Sequence, residues 1–233
     1  MRTSGGDLRA GKIVGDATLI TSGGEIDVAS ATGALELKSS GGNISVGNVG
    51  KSLRAKTAGG DITIGDVGGE AMVSTAGGNV QVGKVSGRAN LSTSGGDIEL
   101  NGGTGIIKAS TSGGNVTLAN IAGSVEAKTS GGDITAELTP SGKGKSRLSS
   151  AAGMIRLFVP ENAKATIVAR IRIQGRWRAQ KYDYTIRSDF KEESSTRNDD
   201  ERLIEARFVL NGGGEDITVE TVNSDIEIRK LKK

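Results

Sequence analysis

The chain has 233 residues with 30 basic and 27 acidic side chains, and it contains 37 glycines but no cysteine and no histidine. The missing cysteines exclude disulfides and thiolate metal sites, and the missing histidines remove the commonest general base and zinc ligand, so we expect no metal and no cofactor. A net charge of +3 is too close to balance to predict nucleic acid as a partner.

A Gly-Gly pair recurs every eighteen residues through the first 140 residues of the chain. Self-similarity at one fixed period predicts an array of stacked units rather than a globule. The segment Thr57–Ser74, with the sequence TAGGDITIGDVGGEAMVS, shows the unit most clearly. The pairs are Gly5-Gly6, Gly23-Gly24, Gly41-Gly42, Gly59-Gly60, Gly77-Gly78, Gly95-Gly96, Gly113-Gly114 and Gly131-Gly132.

Each repeat contains two short runs in which apolar and polar residues alternate. In the fourth repeat, Ile62 and Ile64 belong to the first run, and Ala71 and Val73 belong to the second. Apolar residues spaced by two between glycines are typical of a half-buried strand. Each repeat therefore predicts two strands, with one corner at the Gly-Gly pair and a second at a single glycine such as Gly69.

These strands could pair in two ways. They could form hairpins within a repeat, as in a propeller blade, or equivalent strands of successive repeats could stack in parallel. Aliphatic residues occupy the same columns in successive repeats, so that Ile62 would stack on Val80 and Val80 on Ile98, which favours the stack. A propeller blade also needs about 40 residues, more than twice this period.

The spacing of the aliphatic residues also bears on handedness. A left-handed hexapeptide coil places an aliphatic residue at every sixth position, but the positions six and twelve after Ile62 are Gly68 and Ser74. We therefore predict one all-β domain over residues 1–233, a single-stranded right-handed β-solenoid, or parallel β-helix, with coils of about 18 residues. Regular repeats cover residues 1–140, and residues 141–233 are expected to form irregular coils and a C-terminal cap.

Two polar columns flank the glycine pairs. A hydroxyl residue lies two positions before each pair, from Thr3 to Thr129, and we expect it to point inward and hydrogen-bond along the stack. An acid or amide follows each pair, from Asp7 to Asp133. We predict a turn in which glycine takes positive φ and the Asp or Asn side chain bonds its own backbone. Calcium sites are the alternative, but the nine-residue period of calcium-binding toxin repeats is absent.

The period breaks after Pro140. Residues 141–146 lengthen one coil by about three residues, and an alternating strand follows at 165–173. Residues 174–202 lose the pattern and are expected to fold over the last coils as a cap, because an open solenoid end exposes unpaired backbone groups. The segment Asn223–Ile228 is a last degenerate copy of the repeat.

Three features together resemble a bacterial adhesin-like family of domains of unknown function. They are the repeated T-S-G-G-D-I turns, the break at Pro160–Ala163 and the closing E-T-V-N-S-D-I-E-I-R, and the likeness covers Thr3 to about Lys230. The resemblance implies a β-solenoid that is exported or membrane-attached and faces the cell envelope, with any attachment through a segment outside this chain. It supplies no catalytic residues. Because the sequence begins within a repeat, we expect the native chain to extend further at its N-terminus.

A cluster of cations and aromatic residues lies at 170–184. Such side chains can bind polyanions or sugar rings, so a surface glycan or another envelope protein is the expected partner. The alternative is a structural cap in which the aromatic residues cover the solenoid end and the arginines pair with Asp183, Asp189, Glu192 and Glu193. The cluster comprises Arg170, Arg172, Arg176, Trp177, Arg178, Lys181, Tyr182 and Tyr184.

We do not expect enzymatic activity. Polysaccharide lyases also use parallel β-helices, but these repeats are too uniform to carry long active-site loops, and the outward columns do not converge. Ice binding needs an exposed threonine face, whereas the threonine column is predicted to point inward. We therefore expect a non-enzymatic, envelope-facing structural or adhesin-like binding module, with glycan or polyanion binding through residues 170–184 as the alternative.

Overall fold

The computed structural model describes residues 1–140, 144–174, 183–198, 200 and 202–232, and every regular element in these residues is a β-strand. In chain order the strands are β1 (Arg2–Thr3), β2 (Leu8–Ile13), β3 (Ala17–Thr21), β4 (Ile26–Ala31), β5 (Leu35–Lys38), β6 (Ile44–Val49), β7 (Leu53–Lys56), β8 (Ile62–Ile64), β9 (Ala71–Ser74), β10 (Val80–Val85), β11 (Ala89–Ser92), β12 (Ile98–Gly103), β13 (Ile106–Ser110), β14 (Val116–Ile121), β15 (Ser124–Thr129), β16 (Ile134–Leu138), β17 (Lys145–Ser150), β18 (Ile155–Val159), β19 (Ala165–Arg172), β20 (Ile186–Ser188), β21 (Ser194–Asn198), β22 (Leu203–Leu210), β23 (Glu215–Val222) and β24 (Ile226–Lys230).

The strands form two sheets that run the length of the molecule. Sheet A has 13 strands and begins with the odd-numbered strands β1 to β17, and sheet B has 11 strands and begins with the even-numbered strands β2 to β18. From β1 to β16, paired strands are parallel with a register of one repeat, so Ile62 pairs with Val80 and Val80 with Ile98. The parallel stack is therefore confirmed, and hairpins within a repeat are wrong.

The inward side chains of both sheets fill one continuous core between them. Burial alternates along each strand, as in β5, where Leu35 and Leu37 are buried and Glu36 and Lys38 are exposed. Removing one aliphatic side chain of this size from water contributes about 1.5–3 kcal/mol. Repetition of that term in every coil holds together a chain that has few aromatic residues.

The irregular coil after Pro140 has the predicted length. Ile134 pairs with Ile155, and Glu126 pairs with Arg147, so the register here is twenty-one residues instead of eighteen. Both sheets continue through this coil without a break.

The C-terminal repeat is not at the end of the stack. Strand β23 lies between β17 and β19 in sheet A, and β24 lies between β18 and β20 in sheet B. The last coil in sequence is therefore an interior coil in space. It is held on one side by Ser146, whose hydroxyl donates to the buried Glu215 at 2.8 Å. The sequence pattern could not predict this order, because any strand with the same aliphatic columns fits the same position.

The described strands of the predicted cap, β20 and β21, lie at the ends of the two sheets opposite β1 and β2. Strand β22 pairs antiparallel with β19, and β21 pairs antiparallel with β22 at the outer edge of sheet A, while β20 closes sheet B. Tyr184 and Phe190 are partly buried against the core. Asp189 ties this segment to β24 by accepting hydrogen bonds from the Lys230 backbone and the Arg229 guanidinium, both at 3.0 Å, and these bonds lower the pKa of its carboxyl.

The hydroxyl column points inward as predicted and links the coils. From Thr21 to Thr129 each side chain is buried, and each hydroxyl donates to the carbonyl of the second glycine in the preceding coil at 2.8–2.9 Å. Thr93, for example, donates to Gly78 and accepts from the backbone N–H of Gly96 at 3.3 Å. A buried corner therefore has its polar groups satisfied.

The acid and amide column also links coils, which corrects the predicted turn. The side-chain oxygen of Asp61 accepts from the backbone N–H of Asn79 at 2.7 Å, and that of Asn79 accepts from Asp97 at 2.9 Å. The prediction that these side chains bond their own backbone is wrong. Alternation of acid with amide still keeps most carboxylates apart along the column.

The Gly-Gly pairs are needed for close packing and not for positive φ. None of these glycines has a positive φ. A Cβ on the second glycine, such as Gly42, would lie closer than 3.0 Å to backbone atoms of the preceding coil, whereas a Cβ on Gly41 would lie 3.6 Å from the nearest atom. The equivalent turn before β18 accordingly has Ala152 at the first position and keeps Gly153 at the second.

Candidate binding surfaces

The predicted cluster of cations and aromatic residues lies only partly within the described residues. Arg170 and Arg172 project from the outward side of β19, and Tyr184 packs against the end of the core. The members that lie outside the described residues are Arg176, Trp177, Arg178, Lys181 and Tyr182.

Arg170 belongs to a row of ion pairs that crosses four strands. Its Nε lies 2.5 Å from Glu205 on β22, and its Nη1 lies 3.3 Å from Glu220 on β23, which also binds Arg147 on β17. The hydrogen bond to Glu205 raises the pKa of Arg170. Burial alone would raise the pKa of Glu220, but hydrogen bonds and charge from the two arginines lower it overall. The row fastens both sides of the inserted strand β23.

The predicted pairing of the cluster arginines with Asp183, Asp189, Glu192 and Glu193 is therefore wrong for Arg170. Arg170 pairs with Glu205 and Glu220, while Glu193 pairs with Arg207 at 2.7 Å. The antiparallel return of β22 brings Glu205 opposite Arg170, a contact that local sequence does not indicate.

A shallow cleft of about 320 Å³ lies beside this row. Arg170, Arg172 and Arg202 line it together with Gln174 and Leu203. Sequence reasoning did not include Arg202 in the cluster, because it is distant in the chain and reaches the site only through the pairing of β22 with β19. Guanidinium groups are of the kind that bind carboxylates, sulfates or phosphates, and Arg172 is exposed and makes no ion pair with a described residue.

The outward side of sheet A is basic. We define the basic face as the outward side chains of the sheet A strands from β1 to β15, which include the acids Glu36 and Glu126. Lys108 donates to Glu126 at 2.8 Å, and this hydrogen bond lowers the pKa of that carboxyl. The six basic residues of the face, all exposed, are Arg2, Lys38, Arg54, Lys56, Lys108 and Lys128.

The outward side of sheet B is acidic. We define the acidic face as the outward side chains of residues 7–13, 25–31, 43–49, 61–67, 79–85, 97–103, 115–121 and 133–138. Only three basic residues, Arg9, Lys12 and Lys84, interrupt it. Its nine acids are Asp7, Glu25, Asp27, Asp61, Asp66, Asp97, Glu99, Asp133 and Glu137. Because the two sheets share one core between them, the two faces look outward on opposite sides of the molecule.

These surfaces offer charged donors and acceptors on a rigid frame. Within the described residues, no three His, Cys, Asp or Glu side chains lie close enough together to hold a metal ion. The described residues also include no helix with the length and apolarity needed to cross a membrane.

The stacked two-stranded coils define the class of this protein as a parallel β-solenoid with a filled interior and charged outer faces. The Toastrack DUF4097 family model matches residues 24–189, which is more than half of the chain, and the chain therefore belongs to this family of domains of unknown function. Searches of curated proteins and of solved structures found no match. The expected membership in a β-solenoid family of unknown function is confirmed.

Proposed function

We propose that this chain is a non-catalytic, adhesin-like binding module that acts at the cell envelope. The observation that carries the proposal is that the inward and outward side chains of each coil have different roles. Inward side chains fill the core, while outward columns change chemistry from one coil to the next, as from Asp27 to Ser45 to Thr63. Catalysis requires different groups to converge on one reacting atom, whereas a binding surface can be extended.

The dimensions suit a presenting rod. Thirteen strands in sheet A at about 4.8 Å per strand span roughly 60 Å. Hydrogen bonds and side-chain packing join every coil to its neighbours, so the rod holds its surface groups at fixed spacing. The envelope location is supported by the resemblance to bacterial adhesin-like domains.

Fractionation of cells that carry the native gene tests the location. We expect to recover the protein in the envelope fraction. We also expect added protease to digest it in unlysed cells whose outer layer has been made permeable. Recovery in the cytosolic fraction alone, with protection from protease until lysis, would refute the proposal.

A second candidate function is binding of an anionic glycan or another polyanion at the arginine cleft. The observation that favours it is the convergence of Arg170, Arg172 and Arg202 on one cleft. A scaffold without a specific ligand should retain nothing selectively on a glycan panel. A polyanion site should retain sulfated or uronic-acid glycans in a salt-dependent manner.

Variants test this candidate on a heparin column. Arg172 is exposed and makes no ion pair with a described residue, so Arg172→Ala removes a cation without breaking the row at Arg170. We expect Arg172→Ala, alone or with Arg176→Ala and Arg178→Ala, to elute at lower salt. Arg88→Ala, a matched loss of one exposed arginine far from the cleft, is the control. Equal elution of all variants and the parent would end the candidate.

A further inference from the structure

The opposite charges of the two outward faces carry an inference that does not depend on where the protein resides. The basic face has six basic and two acidic residues, and the column before its strands adds Asp16, Glu70 and Arg88 along its border; the acidic face, which includes the corresponding column, has nine acidic and three basic residues. One molecule cannot bring these faces together, because they lie on opposite sides of its core. A second molecule beside it can place its acidic face against the basic face of the first.

The basic face contains like charges that form no ion pair within the described residues. Lys38 and Lys56 pair directly in the register of β5 and β7, and Arg54 lies two residues before Lys56 on the same side. None of the three makes an ion pair with a described residue, although Glu36 lies opposite Arg54 in the register. Like charges directly opposite in a sheet are destabilising, so this cluster favours a partner that supplies carboxylates.

The acidic face contains carboxylate pairs of the required kind. Glu25 and Asp27 lie two residues apart on the outward side of one coil, and Asp97 and Glu99 occupy the same positions in another coil. No ion pair within the described residues neutralises any of the four, although Arg9 lies opposite Asp27 in the register and lines the same shallow depression as Glu25 and Asp27.

The charged clusters of the two faces have the same spacing. The pair Asp97 and Glu99 lies four eighteen-residue repeats beyond Glu25 and Asp27. On the basic face, Lys128 lies four repeats beyond Lys56. At about 4.8 Å per coil, both separations are about 19 Å. When the basic face of one molecule meets the acidic face of another, both pairs of clusters can therefore come into contact together.

We propose that copies of this chain associate side by side, with the basic face of one copy on the acidic face of the next. The contact is heterologous, so each added copy leaves one face of each sign free and the row can continue. The charges lie on exposed surfaces, and salt therefore weakens the association.

Two charge-reversal variants test the geometry by analytical ultracentrifugation. The double variant Lys38→Glu and Lys56→Glu reverses two charges on the basic face only. The double variant Glu25→Lys and Asp27→Lys reverses two charges on the acidic face only. We expect the parent to form concentration-dependent oligomers at low salt and to dissociate at about 1 M salt, where the Debye length is about 3 Å. Each variant alone should associate at least about tenfold more weakly than the parent. An equal mixture of the two should associate again, because the intact acidic face of one variant meets the intact basic face of the other, and the two reversed clusters are also of opposite sign.

A control separates this effect from a general change in charge. Lys51→Glu with Arg88→Glu makes the same change in net charge as the basic-face variant, at exposed positions outside both faces, and should associate like the parent. Circular dichroism of each variant confirms that it is folded. The proposal is overturned if the parent stays monomeric at low salt, if the folded face variants associate like the parent, or if their mixture stays monomeric. A monomeric parent that binds vesicles of anionic lipid through the lysines of the basic face would assign that face to a membrane instead.

Discussion

Replacing the second glycine of a pair by alanine should disrupt the stack, and Gly42→Ala is the sharpest case. The added Cβ would lie closer than 3.0 Å to the carbonyl group of Gly24 and to the backbone nitrogen of Glu25. These are backbone atoms of the preceding coil, so no side chain can rotate away to relieve the overlap. The corner containing residue 42 must move away from its neighbour.

The size of the effect follows from the contacts that this movement breaks. Gly42 donates from its N–H to the Ser39 hydroxyl at 3.1 Å and accepts from the Thr57 hydroxyl at 2.9 Å. Overpacking a close contact costs about 1–3 kcal/mol, and each weakened hydrogen bond adds about 1 kcal/mol. We expect a loss of about 3–5 kcal/mol in the free energy of unfolding, and a fall in Tm of about 6–20 °C for a chain of this size.

The adjacent residue supplies the control. Gly41→Ala places its Cβ 3.6 Å from the nearest atom, and Gly41 does not have a positive φ, so alanine fits without strain. This change should be neutral or should stabilise by up to about 1 kcal/mol, because it restricts the unfolded chain. Urea unfolding followed by far-UV circular dichroism measures both variants. Equal stability of the two variants would refute the packing explanation for the glycine pairs.

Two further changes test the links between coils. Thr93→Val keeps the shape of the side chain but leaves buried backbone groups without their hydrogen-bond partner. It should lower the free energy of unfolding in urea by about 1–3 kcal/mol. Thr117→Val, on the outward side of sheet B, is the control and should change it by less than about 0.5 kcal/mol. Glu220→Gln removes the charge that joins Arg147 to Arg170 and should destabilise the inserted strand at neutral pH. The folded-state pKa of Glu220 is lowered from 4.5, so the stability that its carboxylate contributes is present above that pH and is lost as the pH falls through the folded-state value. The parent and the variant should therefore converge in stability in acid. A difference in stability that persists unchanged at low pH would contradict this assignment.

Much of the repeat architecture could be predicted, because it depends on a local pattern of apolar and polar residues. Alternation around Ile62 and Val80 indicates strands, and the constant period indicates that equal residues stack. The inward hydroxyl column followed from the same alternation, and its hydrogen bonds are those expected. The three-residue insertion after Pro140 was also visible, because the pattern resumes in phase on its far side.

The candidate surfaces were harder to predict, because they combine segments far apart in the chain. Arg170 and Arg172 were recognised from composition alone, but Arg202 joins them only through an antiparallel strand. The opposition of a basic to an acidic face likewise appears only when outward residues are assigned to sheets. Each face gathers at most two residues of its own sign from any one eighteen-residue repeat, and no continuous segment shows the excess of charge.

The sequence by itself determined the period, the two strands of each coil, the parallel stacking and the inward polar column, because each depends on residue type at a fixed spacing. Only the tertiary structure decided the position of the last coil, the partners of Arg170 and the reason for the second glycine. Like columns are interchangeable in sequence, so the order of coils is set by contacts such as those of Glu220 with its two arginines. The need for Gly42 arises from the approach of two backbones, a distance that no local pattern encodes.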